Sequence, residues 1–202
     1  SFYTFGDVTS LEVTQILKIG KAGGGNVGYS GATRSATNVP ATVVLAKDAL
    51  GQPANITGGG VPTLVPTDTT VSSGGTCVKD DASSAVYSSG LGYGYYNCDL
   101  ATPTSAVSGK TTTTIARIVS PADAAAYITS AAFTTSVGGS VSSAKETVSF
   151  DKTSYAPGEA MVITRTAVDS SGNPVWDGSA SPEVRFSKAV GGTSPVAAGT
   201  YV

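Results

Sequence analysis

The sequence predicts an all-β protein made of tandem β-sandwich modules, and three observations carry that prediction. An octapeptide occurs twice, Ala46-Lys-Asp48-Ala-Leu-Gly51-Gln-Pro53 and Ala167-Val-Asp169-Ser-Ser-Gly172-Asn-Pro174, with Ala, Asp, Gly and Pro in register and the copies 121 residues apart (46 to 167). Asp opens such a turn by bonding its own backbone, Gly supplies the positive φ, and Pro restricts the exit to an extended path. Each copy therefore reads as a reversal between two strands, and a period of roughly one hundred residues suits one sandwich each. Ser and Thr supply roughly a quarter of the chain, while charged residues make up only 13%. Finally, apolar residues fall in short β-branched or alternating runs between Gly and Pro turn signals.

With 202 residues, 40% of them apolar, the chain has room for one large or two small domains with a core. A net charge of -2 offers no basic face to nucleic acid and no polybasic patch to a membrane. No apolar run approaches the ~20 residues that span a bilayer. Starting at Ser1 without an initiator Met and ending in the alternating Gly199-Thr-Tyr201-Val202, the chain reads as a mature or excised piece whose molecule continues.

In chain order, the first expected element is a loose strand from Phe2 to Ile19 that includes Phe2, Val8, Leu11, Val13 and Ile16. Gly23-Gly24-Gly25 follows as a flexible linker, so residues 1–23 are expected to stand apart and to be available for strand donation to a neighbouring copy. A first module over 24–144 opens with a strand at Val39–Ala46, the first Asp turn, and a return strand at Ala54–Thr57. Pro62 and Pro66 confine the next stretch to a sheet edge or a loop. Residues 72–108 read as an insertion, and the β-branched run Thr111–Val119 as a strong strand. Ser120-Pro121 has the N-cap and first-position residues of a helix, predicting a short one over 124–132.

A second module is expected over 145–202. It opens with Val148 and Phe150 and turns at Asp151-Lys-Thr-Ser-Tyr155-Ala-Pro157-Gly158-Glu159. It then runs through Met161 and Ile163 into the second Asp turn and Val175. This segment, residues 146–176, resembles the start of a bacterial immunoglobulin-like or macroglobulin-like domain; the first module touches that pattern only at 42–54 and lacks the Tyr-Ala-Pro-Gly-Glu turn. The resemblance implies tandem Ig-like β-sandwich modules, of the kind found in surface-layer, filament and adhesin-type exported proteins.

Cys77 and Cys98 are the only cysteines and the chain has no His, so a disulfide is their expected use, closing a loop outside the reducing cytosol. Within that loop Tyr87, Tyr93, Tyr95 and Tyr96 lie among Gly and Ser. Two readings stand: an adaptable recognition loop, or a hairpin with Tyr93 and Tyr95 on one face and Tyr96 on the other. Trp176 is either a ligand platform or a plug at the end of a sandwich. Asp80, Asp81 and Asp99 form either solvated loops or a loose calcium site, with no Asp-x-Asp-x-Asp ladder to favour calcium and no other cofactor or metal suggested. Asn55-Ile-Thr57 fits a glycosylation sequon.

Without His there is no Ser-His or Cys-His relay. A glycosidase would need two facing acids, and a spatial pairing of Asp80 or Asp81 with Asp99 near the disulfide is the one the sequence leaves open. The expectation is therefore a non-enzymatic, extracellular, cell-surface structural protein whose partners are copies of itself. Its alternative is an adhesin that binds cell-envelope or host glycans through the tyrosine loop.

Overall fold

The computed structural model describes residues 6–31, 38–80, 92–142, 145–181 and 199–200. Its strands are β1 (Ser10–Gln15), β2 (Ile19–Lys21), β3 (Gly25–Val27), β4 (Thr42–Lys47), β5 (Thr63–Pro66), β6 (Gly75–Thr76), β7 (Val78–Lys79) and β8 (Tyr95–Cys98). They continue with β9 (Leu100–Thr102), β10 (Thr111–Val119), β11 (Tyr127–Thr129), β12 (Phe133–Gly138), β13 (Thr147–Phe150), β14 (Ile163–Thr166), β15 (Ala180–Ser181) and β16 (Gly199–Thr200). No α-helix occurs among the described residues.

Two sheets form the main body. The first has the order β1-β4-β8-β7; the second has the order β2-β12-β10-β5-β6, with β11 also paired to β10. Every pairing is antiparallel except that of β2 with β12. Alternation builds the core. Along β10, Thr112, Thr114, Ala116 and Ile118 are buried while Thr111, Thr113 and Val119 face solvent. Val8, Leu11, Val44, Ala46, Tyr96 and Cys98 on the first sheet's side share one apolar cluster with Leu64, Ala116 and Ile118 of the second. Buried threonines satisfy one another, as in the 3.2 Å contact between the Thr114 and Thr135 hydroxyls.

Three expectations change. Residues 120–126 form no helix but a loop closed by Ser120 N–H on Ala126 O at 2.9 Å. It returns the chain as β11, with Tyr127 opposite Val119. Residues 10–21 are not set apart by the glycines, because β1 pairs with β4 along its whole length and β2 pairs with β12. Of the three glycines, Gly24 (φ +92°) serves close approach, since a Cβ there would lie 3.0 Å from the Thr104 backbone. The described residues of 72–108 supply β6 to β9, and Cys77, Tyr96, Cys98 and Leu100 among them are core, so these residues are framework instead of an added loop.

Between β11 and β12 the register on β10 slips by one residue, from Arg117 opposite Thr129 to Thr114 opposite Phe133. Ser130 fills the gap: its N–H bonds Ala116 O at 2.8 Å and its Oγ accepts from Ala116 N at 3.0 Å.

Candidate interaction surface

The two Asp turns have the same internal chemistry. Asp48 Oδ1 accepts from the N–H groups of Leu50 and Gln52, both at 2.9 Å, and Asp169 Oδ1 accepts from those of Ser171 and Asn173, both at 2.9 Å. Gly51 and Gly172 take φ of 76° and 89°, and each donates to its Asp carbonyl at 3.0 Å. Lys47 bridges to Pro53 as Val168 does to Pro174. Both carboxylates are buried, at 5% exposure.

Their second oxygens reach beyond the turn. Asp169 Oδ2 accepts from Ser108 Oγ at 2.5 Å, and a Cβ on Gly139 would stand 2.4 Å from the same oxygen. The segment after the turn then lies against the main body. Val175 bridges Gly139, Trp176 N–H donates to Gly139 O at 3.3 Å, and Asp177 Oδ2 accepts from Lys18 N–H at 2.5 Å and Ile19 N–H at 2.8 Å. Trp176 packs on Leu17, Val27, Ala41 and Leu100, with the Lys21 ammonium 5.4 Å above its ring. It thus plugs the main body, and residues 168–179 form a docked arm. Gly138 makes the fit close, since a Cβ there would meet the Val175 and Trp176 backbones at 2.6 Å. Gly138→Ala is expected to cost about 1–3 kcal/mol by overpacking and to red-shift the emission of Trp176; unchanged emission would count against the docking.

The carboxylates of Asp48 and Asp169 are held below their ordinary range, the first mainly by the Gln52 amide and the second mainly by the Ser108 hydroxyl. A lowered folded-state value favours the ionised form in the folded chain, so this stabilisation is complete at neutral pH. It is lost as pH falls from about 3.9, the ordinary Asp value, through the lowered folded values. Asp99, pushed up by burial, works in the opposite sense. An acid titration of Trp176 emission is expected to show undocking below about pH 4 and none between pH 5 and 8.

The described tyrosines of this loop differ in burial. Tyr96 is core, at 1% exposure, and its hydroxyl accepts from Ile56 N–H at 3.0 Å. Tyr95 is half-buried and Tyr93 exposed, with the Lys79 ammonium 6.0 Å from the Tyr93 ring. Tyr87 and Asp81 lie outside the described residues. β7 and β8 pair antiparallel as Val78 to Asn97, which sets Cys77 opposite Cys98, and the two form a disulfide with Cα atoms 4.4 Å apart.

Asp80 is buried and its Oδ1 accepts from Asn97 Nδ2 at 3.2 Å, whereas Asp99 sits half-buried with Asn26 Nδ2 on its Oδ2 at 2.5 Å. No cluster of three metal-ligating side chains occurs among the described residues. Asn55 is half-buried and its Oδ1 accepts from Gly94 N–H at 3.1 Å, which ties the sequon side chain to the β8 turn. Of the residues considered for strand donation, Val8 and Leu11 are core, Val13 packs against it, Ile16 is exposed, and Phe2 lies outside the described residues.

Sequence reasoning missed Ser108, Gly138, Gly139 and Asp177, the residues that receive or fasten the arm. A signal existed in Gly6-Asp-Val8-Thr9 and Gly139-Ser-Val141-Ser142, which match in pattern. A further exposed patch was also missed: Arg117 stacks 4.5 Å over the Tyr127 ring, with Val119 paired to Tyr127 beside it.

Comparison with known proteins found no matching family model, no matching curated protein and no matching solved structure.

Proposed function

We propose that this chain is an extracellular structural protein whose Ig-like units, joined in tandem, self-assemble into a surface layer or filament without catalysing a reaction. The observation that carries the reading is the repeated Asp turn, the second copy of which fastens the following segment onto the main body. Supporting the Ig-like assignment, β1-β4-β8-β7 and β12-β10-β5 reproduce the ABED and GFC strand orders of such sandwiches. Support for an oxidising, cell-surface location comes from the core disulfide. Low charge leaves little repulsion between copies, and the β13–β14 ribbon keeps the Val148 side chain at 42% exposure.

Electron micrographs of concentrated protein, with and without calcium, should show sheets or filaments; a monomer in sedimentation at every concentration would refute the reading. Strand donation remains a variant of it, but β1 already fills its own sheet, so donation would be an exchange between copies. Deleting residues 1–20 would then remove Val8 and Leu11 from the core and unfold the monomer.

A glycan-binding adhesin is the second reading, favoured by exposed Tyr93 beside Lys79. Replacing Tyr93 and Tyr95 by Ser, while leaving core Tyr96 alone, separates the two: lost glycan binding with intact assembly favours the adhesin.

A further inference from the structure

Gly6 stands to Asp48 as Gly139 stands to Asp169. Gly6 N–H donates to Asp48 Oδ2 at 3.4 Å, and a Cβ on Gly6 would lie in ordinary contact, 3.5 Å, with that of Asp48; Gly139 faces Asp169 in the same way but more closely, a Cβ there falling 2.7 Å from that of Asp169. Three residues on, the correspondence persists: Thr9 N–H bonds Lys47 O at 2.8 Å, and Ser142 N–H bonds Val168 O at 3.0 Å. The structural repeat therefore runs from Gly6 to Gly139, 133 residues, instead of the 121 between the turns. The difference arises because 26 residues (16–41), including β2 and β3, separate β1 from β4, whereas only 12 (151–162) separate β13 from β14.

Among the described residues, a side-chain hydroxyl on the second carboxylate oxygen is seen only at the second turn; Asp48 Oδ2 carries the Gly6 N–H. Around Asp169 and Asn173 a receiving cup is made by Ser108, whose hydroxyl is on the carboxylate, and Gly109, where a Cβ would meet the Asn173 side chain at 2.8 Å. Asp48 offers the same second oxygen, and Gln52, at the Asn173 position, is exposed. We propose that the Asp48 turn is a joint: it docks into the Ser-Gly cup of a unit of this same fold joined ahead of Gly6, as the Asp169 turn docks into the cup of the main body. The partner is specified chemically as a β-unit with a serine hydroxyl positioned to donate to Asp48 Oδ2. This rests on the tandem-array reading above.

Two variants test it. In the full chain, Val168→Lys, Ser170→Ala, Ser171→Leu and Asn173→Gln together convert the second octapeptide into the first. If the turns are interchangeable joints, quenching of Trp176 by iodide stays within about twofold of the native chain, whereas a several-fold rise overturns the proposal. The second variant places one more copy of residues 6–138 ahead of Gly6 in the full chain. Ser108→Ala in that added copy is then expected to lower its melting temperature by a few degrees, as the same change does in the original copy. No shift in the added copy, with the usual shift in the original, overturns the joint. Neither result depends on polymer formation in micrographs, so the joint can fail while the assembly reading stands, and the reverse.

Discussion

Tyr96→Ala is expected to cost about 4 kcal/mol, the largest effect of any single substitution considered. The ring is fully buried and belongs to the apolar cluster to which both sheets contribute. Truncation removes that apolar surface, leaves a cavity walled by strands that cannot close over it, and strips the acceptor from Ile56 N–H. Tyr96→Phe isolates the last contribution, because it keeps the ring and orphans one buried donor; its expected cost is about 1–3 kcal/mol. Urea midpoints of the two variants check the division. Equal losses would mean that the hydroxyl, and not the ring, carries the stability. With domains stable by only about 5–15 kcal/mol, the Ala variant is expected to be partly unfolded near body temperature.

Replacing both Cys77 and Cys98 by Ala is expected to cost about 3 kcal/mol. The two are 21 residues apart in sequence, and joining them removes the loop-closure entropy that the unfolded chain would otherwise keep. Ala is the informative substitute because both sulfurs are buried, so Ser would add two hydroxyls needing partners. Unfolding with and without reductant gives the same comparison on the native sequence. A midpoint indifferent to reductant would show that β7 and β8 hold their register through the ladder alone.

Each Asp turn was legible in the sequence because it is local: the carboxylate bonds amides two and four residues ahead, and Gly and Pro fix the remaining backbone. Cysteine pairing was legible by elimination. The false helix at 124–132 arose from signals that serve two structures. Ser120 Oγ accepts from Ala122 N–H and Asp123 Oδ1 from Ala125 N–H, as helix caps would, but the bonds close a loop between paired strands. What decided it was Tyr127 finding Val119, a contact that local composition does not encode. Glycine misled in the same way. Gly23–Gly25 and Gly138–Gly139 look alike as flexible tracts, yet at Gly24, Gly138 and Gly139 the missing side chain admits a neighbouring backbone or carboxylate. The docked arm was invisible for that reason, since its receiving residues lie at 17–27, 41, 100, 108–109 and 138–139, in separate stretches of chain.

The parallel pairing of strands β2 and β12 has a mechanical corollary. Tension entering ahead of Gly6 and leaving past Gly139 draws these neighbours in opposite directions along their length. Their bonds are then loaded together in shear, and cannot be opened one at a time like a zipper. Asp177, gripping Lys18 and Ile19 where β2 begins, adds a rivet to that clamp. In the proposed tandem array, such a clamp is expected to resist stretching better than strands peeled apart bond by bond.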